Sequence, residues 1–129
     1  MHIVITGAAG FLGQRLVQQL LERGELCQQP ITRLTLLDQV EAPQPAAGSV
    51  TVTSVALDIT ERGALESVLA QRPDVIYHLA AVVSSAAEAD LALGMRVNFD
   101  ATRALLEGCR EQSLTDTRLI MASSVAAYG

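Results

Sequence analysis

Ile3-Val4-Ile5-Thr6-Gly7-Ala8-Ala9-Gly10-Phe11-Leu12-Gly13 is the stretch that decides how this chain folds. Three β-branched residues in a row favour extended backbone, and an apolar run without alternation is the pattern of a strand buried on both faces, as in a parallel sheet. Past Gly13 the apolar residues Leu16, Val17, Leu20 and Leu21 recur at helical spacing, and Gly24 offers a C-terminal stop. The segment is therefore strand, glycine turn, helix. In that setting one glycine permits the tight turn, another lets backbone approach a pyrophosphate, and the third allows close packing of helix on strand. The helix start adds unpaired N–H groups and the positive end of its dipole. An ordinary flexible turn is the alternative, and the setting favours a dinucleotide site.

Further along, Leu34-Thr35-Leu36-Leu37 predicts a second strand ending at Asp38, and Glu41 to Gly48, with Pro43 and Pro45, predicts a loop. Val50 to Leu57 predicts a third strand that ends at Asp58-Ile59. Thr60 is the expected N-cap of a short helix carrying Leu65, Val68 and Leu69, with Pro73 as its terminator. Val75 to Leu79 is the fourth strand and Arg118 to Ala122 the fifth. Between them, Glu88 to Arg110 predicts a long helix burying Leu91, Met95, Val97, Leu105 and Leu106, with Gly94 and Gly108 weakening its continuity. Strands alternating with helices give an α/β fold over residues 1–129: a doubly wound, parallel, Rossmann-type sheet with helices on both faces.

Composition removes several functions. The chain has 129 residues, 50% of them hydrophobic, with a net charge of −5 and no lysine. An acidic chain without a basic cluster is ill suited to neutralising phosphate backbones, and 3% aromatic content with no Trp supplies no base-stacking platform. Nucleic acid is not an expected partner. No apolar run reaches the roughly 18–20 residues that span a bilayer, and the N-terminus lacks the basic and apolar regions of a signal peptide. Neither membrane insertion nor secretion is expected, and the location expected is cytoplasmic. Cys27 and Cys109 stand far apart in no metal-ligand spacing, so reduced, partly buried thiols and no metal site are expected.

Asp38 is the acidic partner the glycine turn needs. A carboxylate at the end of the second strand accepts hydrogen bonds from both ribose hydroxyls of an adenosine and repels a 2′-phosphate, favouring NAD over NADP. The alternative is a solvated strand-end Asp, and Gln39 offers no second carboxylate. His78 at a strand end, and His2, are expected to be packed, hydrogen-bonded histidines, because no base–nucleophile pairing accompanies them.

The spacing Gly-x-x-Gly-x-x-Gly departs from the simple Gly-x-Gly-x-x-Gly, and here the sequence resembles the extended short-chain dehydrogenases/reductases, the NAD-dependent epimerase/dehydratase group. Thr6 to Gly13 looks like the cofactor loop of that family, which implies cofactor contacts at Gly7, Gly10, Phe11, Leu12 and Gly13. Asp58-Ile59 matches an adenine-contacting pair, and His78-Leu79-Ala80-Ala81 matches a His-x-Ala-Ala segment whose Leu79, Ala80 and Ala81 border the cofactor. Asn98 matches an asparagine of the long helix that belongs to the cofactor and catalytic surroundings, with a solvated helical Asn as the alternative. Ser123 to Gly129 matches the serine segment, and Ser124 takes the place of the catalytic serine, whose hydroxyl orients the substrate's reacting oxygen. The likeness spans essentially the whole chain.

The resemblance also implies what these residues leave out. The family's catalytic tyrosine is followed four positions later by a lysine that lowers the phenol's pKa, and this chain has no lysine, so neither Tyr77 nor Tyr128 is that tyrosine. The expectation is an N-terminal portion of a longer NAD-dependent oxidoreductase, its sheet incomplete at the C-terminal end, exposing apolar surface and inactive alone. Within the family, Ala80 to Asp90 and Gly94 to Asn98 are most similar to members that oxidise a small sugar acid. Arg96 is a candidate cation for its carboxylate. A nucleotide-sugar epimerase or dehydratase is the second reading and a non-enzymatic NAD-binding regulator the third. The family commonly pairs its long helices, which implies a homodimer at full length.

Overall fold

In a computed structural model, residues 1–61, 63–80 and 96–122 are described. Strand β1 (His2–Thr6) leads through the glycine turn into helix α1 (Phe11–Arg23). A small hairpin, β2 (Glu25–Leu26) and β3 (Gln29–Pro30), precedes β4 (Arg33–Asp38) and β5 (Thr51–Ala56). There follow α2 (Glu66–Leu69), β6 (Val75–His78), a π-helical turn (Arg96–Asp100), α3 (Ala101–Glu111) and β7 (Arg118–Met121). The five long strands form one parallel sheet in the order β5-β4-β1-β6-β7. The chain therefore winds outward from β1 in both directions, and the strand order reverses between β1 and β6. In open α/β sheets a ligand crevice opens at that reversal, beyond the carboxyl ends of the strands.

Alternation along β1 explains why both faces are covered. Ile3 and Ile5 pack with Val17 and Leu20 of α1, Leu34, Leu36 and Val75. Val4 points the other way, into Leu37, Ile76, Leu65, Val68 and Leu69, together with Ala101 and Leu105 of α3. Two cores on opposite faces make the sheet doubly wound, as expected from the sequence. Beyond β6, the edge strand β7 leaves Ile120 and Met121 exposed, and Phe11, Leu12, Val40, Phe99 and Leu106 are exposed elsewhere.

Several expectations need correction. Thr60 does not cap a helix: its N–H and hydroxyl both donate to Asp58 Oδ1, at 2.9 and 2.6 Å. Turns with i→i+3 bonds carry the chain from Asp58 to Glu66, Gly63 adopts a φ of +85°, and helix is delayed to Glu66–Leu69. It also ends before Pro73, where Arg72 turns left-handed and donates to the carbonyls of Gln112 and Ser113. The predicted long helix is not one regular α-helix, because its described part opens with a π turn; its residues 88–95 lie outside the described set. Leu106 is half exposed rather than core. Gly108 sits inside α3, where a Cβ would meet Leu69 Cδ1 at 2.6 Å, so the glycine lets α3 lie close to α2. Cys27 is exposed at the tip of the unpredicted hairpin, with Gln28 beside it, both at positive φ as a two-residue hairpin turn requires. Burial pushes the Cys109 thiol pKa up, and both cysteines are free.

Candidate functional site

The crevice beyond β1, β4 and β6 gathers most of the residues marked by the sequence. Gly7 leaves β1 at φ +71°, a left-handed conformation that side-chain-bearing residues rarely adopt. A Cβ there would also lie 2.7 Å from Ala80 N and 2.8 Å from Leu79 C, so the glycine lets the turn and the end of β6 touch backbone to backbone. Gly13 is buried in the first turn of α1, where a Cβ would run into the Gly7 carbonyl oxygen and lie 2.8 Å from Ala8 Cα. Gly10 is different. It holds the N-cap position at φ −74° and ψ 171°, with no side-chain cap, so the first N–H groups of α1 lie open at the mouth of the crevice. Phe11 and Leu12 project outward from that end.

Asp38 is tied directly to the glycine turn. Its Oδ2 accepts from Ala9 N–H at 2.9 Å and its Oδ1 from Gln39 N–H at 2.7 Å. Each carboxylate oxygen keeps acceptor capacity for a further donor. The backbone repeats the link, since Ala8 N–H donates to the Leu37 carbonyl. The structure places Asp38, a candidate from the sequence, against the glycine turn, and Ala9 joins it without any residue-type signal because it contributes a main-chain N–H. Asp58 follows β5 at the same edge, fixed by Thr60, and the Ile59 side chain is buried in the second core.

On the other side of the reversal, Thr6 stands opposite His78 in the parallel register of β1 and β6. Thr6 Oγ1 lies 2.8 Å from His78 Nδ1 and accepts from Leu79 N–H at 3.1 Å and Ala80 N–H at 3.2 Å. His78 Nε2 lies 3.0 Å from Thr102 Oγ1, and that hydroxyl donates to the Asn98 carbonyl at 3.2 Å. His78 is thus the packed histidine expected, and burial holds its pKa below the ordinary value. His2 is similarly placed, 2.7 Å from Thr35 Oγ1, with its pKa lowered mainly by burial and also by Arg33. Asn98 itself is exposed, in the π turn. Ala81 and Ser124 lie outside the described residues.

Known proteins carrying the same features make the lineage explicit. Residues 3–129 match the NAD dependent epimerase/dehydratase family. The chain belongs to that family. Among curated relatives, the D-erythronate dehydrogenase of Cupriavidus necator is 49% identical over 133 residues, a match covering 100% of this chain and 40% of the relative. The chain thus spans about two fifths of the length of the curated relative it matches. Among solved structures, a nucleoside-diphosphate-sugar epimerase from Agrobacterium tumefaciens superposes with a TM-score of 0.91 at 41% identity, covering 98% of this chain and 38% of that one. MoeE5, solved with UDP-glucuronic acid and NAD, gives a TM-score of 0.80 at 25% identity, covering 100% of this chain and 38% of that one. Among the described residues no helix is long and apolar enough to cross a membrane, and no cluster of His, Cys, Asp and Glu could hold a metal ion.

Proposed function

We propose that this chain forms the NAD-binding portion of a cytoplasmic dehydrogenase that oxidises the C2 hydroxyl of D-erythronate or a similar sugar acid. The observation that carries the cofactor half of the reading is the Asp38 carboxylate clasped to the Ala9 N–H at the mouth of the glycine turn. Gly7 and Gly13 sit where a side chain would collide with backbone, so a smooth turn is left for a pyrophosphate above the open N–H groups of α1. Asp38 would accept the adenosine ribose hydroxyls, and Gln39 supplies no cation for a 2′-phosphate, which favours NAD over NADP. Asp58 and Ile59 would border the adenine, and Leu79, Ala80, Ala81 and Asn98 would line the nicotinamide side. When bound, NAD accepts hydride from the carbon bearing the hydroxyl. Ser124 would orient that hydroxyl, and its proton would pass to a tyrosine base outside these 129 residues, since no Tyr-x-x-x-Lys pair occurs within them. The fragment alone would bind cofactor without turnover, and the whole protein would be a homodimer.

The substrate half rests on the D-erythronate dehydrogenase at 49% identity. The TM-score of 0.91 to a nucleoside-diphosphate-sugar epimerase supports a second reading, in which a sugar nucleotide occupies the same site. Assaying the full-length protein with NAD separates them. NADH formation with D-erythronate and none with a UDP-sugar is the expected result, whereas epimerisation of a UDP-sugar without net NADH release would replace the first reading with the second. Binding of NAD with neither activity would point to a regulator.

A further inference from the structure

One polar chain, buried at Thr6 and His78, runs from the β1–β6 crevice to the π turn and joins residues assigned to the cofactor to ones that are not. Its hydrogens can be placed by counting. Thr6 Oγ1 receives the Ala80 N–H and shares the Leu79 N–H with the Thr6 carbonyl, so both its acceptor positions are used. Its own proton must then go to His78 Nδ1, at 2.8 Å, and that nitrogen carries no hydrogen. A neutral imidazole in this state has its proton on Nε2, which donates to Thr102 Oγ1 at 3.0 Å. The Thr102 hydroxyl passes on to the Asn98 carbonyl at 3.2 Å. Every donor points the same way, and the other tautomer would face two O–H or N–H hydrogens toward each other at Nδ1.

We propose that His78, as the neutral Nε2–H tautomer, is a positioning residue that holds the Leu79–Ala80 turn and the Asn98 turn in fixed relation across the crevice. Thr6 and Thr102 are its two hands. The placement gives the proposal its reach. Thr6 grips the Leu79 and Ala80 N–H groups that flank the peptide lying against Gly7, while Thr102 grips the carbonyl four residues before it, at the junction of the π turn and α3. A Thr hydroxyl bonded back to the i−4 carbonyl bends a helix, and π turns recur at functional sites. Burial keeps the imidazole neutral, which the donor count requires. The positioning role for the reaction rests on the cofactor reading above; the relay itself does not.

Three measurements on the full-length protein, of tautomer, amide exchange and turnover, separate those layers. Nitrogen-15 spectra of histidine-labelled protein read the tautomer directly: a protonated Nε2 and bare Nδ1 at His78 are expected, and a protonated Nδ1 overturns the proposal. Thr102→Val keeps the side-chain shape and removes the hydroxyl. It is expected to speed amide exchange at Leu79 and Ala80, on the far side of His78, by about tenfold, and unchanged exchange there overturns the relay. In turnover, Thr102→Val should lower kcat by about tenfold with NAD affinity within about twofold, and Thr102→Ser should restore kcat. A lower melting temperature with unchanged kcat would make the relay merely structural. Absence of NAD binding in the unmodified protein would sink the cofactor reading while the tautomer and exchange results still decide the relay.

Discussion

Replacing Gly13 with alanine tests the glycine turn most sharply, because the ordinary expectation has the opposite sign. In a helix, Gly→Ala stabilises by up to about 1 kcal/mol. Here the new methyl would meet the Gly7 carbonyl oxygen, with Ala8 Cα at 2.8 Å and Ala8 C at 3.0 Å. All three obstacles are backbone, so none can rotate aside as a side chain would. Overpacking of this kind costs about 1–3 kcal/mol, and an unyielding obstacle belongs at the upper end. The net expectation is destabilisation by about 1–2 kcal/mol, measured by chemical denaturation of the cofactor-free protein. Relief of the clash has to move the Gly7–Ala8 turn itself, so NAD affinity should fall as well, by about tenfold for each 1.4 kcal/mol of distortion. Gly10→Ala is the internal control. Its φ of −74° suits any residue and its Cβ would stand 3.4 Å from the Gly7 carbonyl oxygen, so the cofactor-free protein should lose less than about 0.5 kcal/mol. The reasoning fails if Gly13→Ala leaves stability unchanged, or if Gly10→Ala destabilises the empty protein as much as Gly13→Ala does.

Asp38→Ala should weaken NAD binding by at least about tenfold, through loss of the ribose acceptor and of the Ala9 clasp; calorimetric titration showing unchanged affinity would remove Asp38 from the site. Asp38→Asn keeps an acceptor for Ala9 N–H and should lose less. Ile76→Ala opens a cavity where Ile76 is fully buried between Val4, Leu69 and Leu105, and should cost about 2–5 kcal/mol in denaturant titration. Acid should destabilise the fold through its histidines. Burial holds the His78 pKa below 6.5, so the unfolded chain binds the proton more readily. The stability is therefore fully present above about pH 6.5 and falls as pH drops from there toward the folded-state value, by up to about 1.4 kcal/mol per pH unit for one histidine. Flat stability between pH 7 and pH 5, read from denaturation midpoints, would contradict a buried neutral His78.

Most of the site's framework was legible because its signals are local. Apolar run, glycine turn and helical spacing occur within residues 3–24, and each reflects short-range sterics that hold in any setting. Asp38 stood out because a carboxylate that ends the second apolar run is a local signal, whereas its place beside the glycine turn came from the pairing of β4 with β1. The failures were equally physical. Thr60 has the residue type of an N-cap, but the Asp58 carboxylate two residues earlier takes both its donors. The hairpin at Cys27 and Gln28 lacks the Asn-Gly or Asp-Gly pair that ordinarily marks such a turn. Leu106 fits the helical period, yet its side of α3 faces away from the second core.

By itself the sequence determined the α/β class and singled out candidate residues for a dinucleotide site, since backbone preference and burial pattern are written along the chain; the strand order around β1 came from the tertiary structure. Tertiary structure alone decided which of those residues act together. Parallel register sets Thr6 against His78, and packing of α3 on the sheet brings Thr102 to the far side of the ring. Residues 6, 78 and 102 have no local signal in common; a hydrogen bond between them exists only because the two strands and the helix bury their apolar faces in that one arrangement.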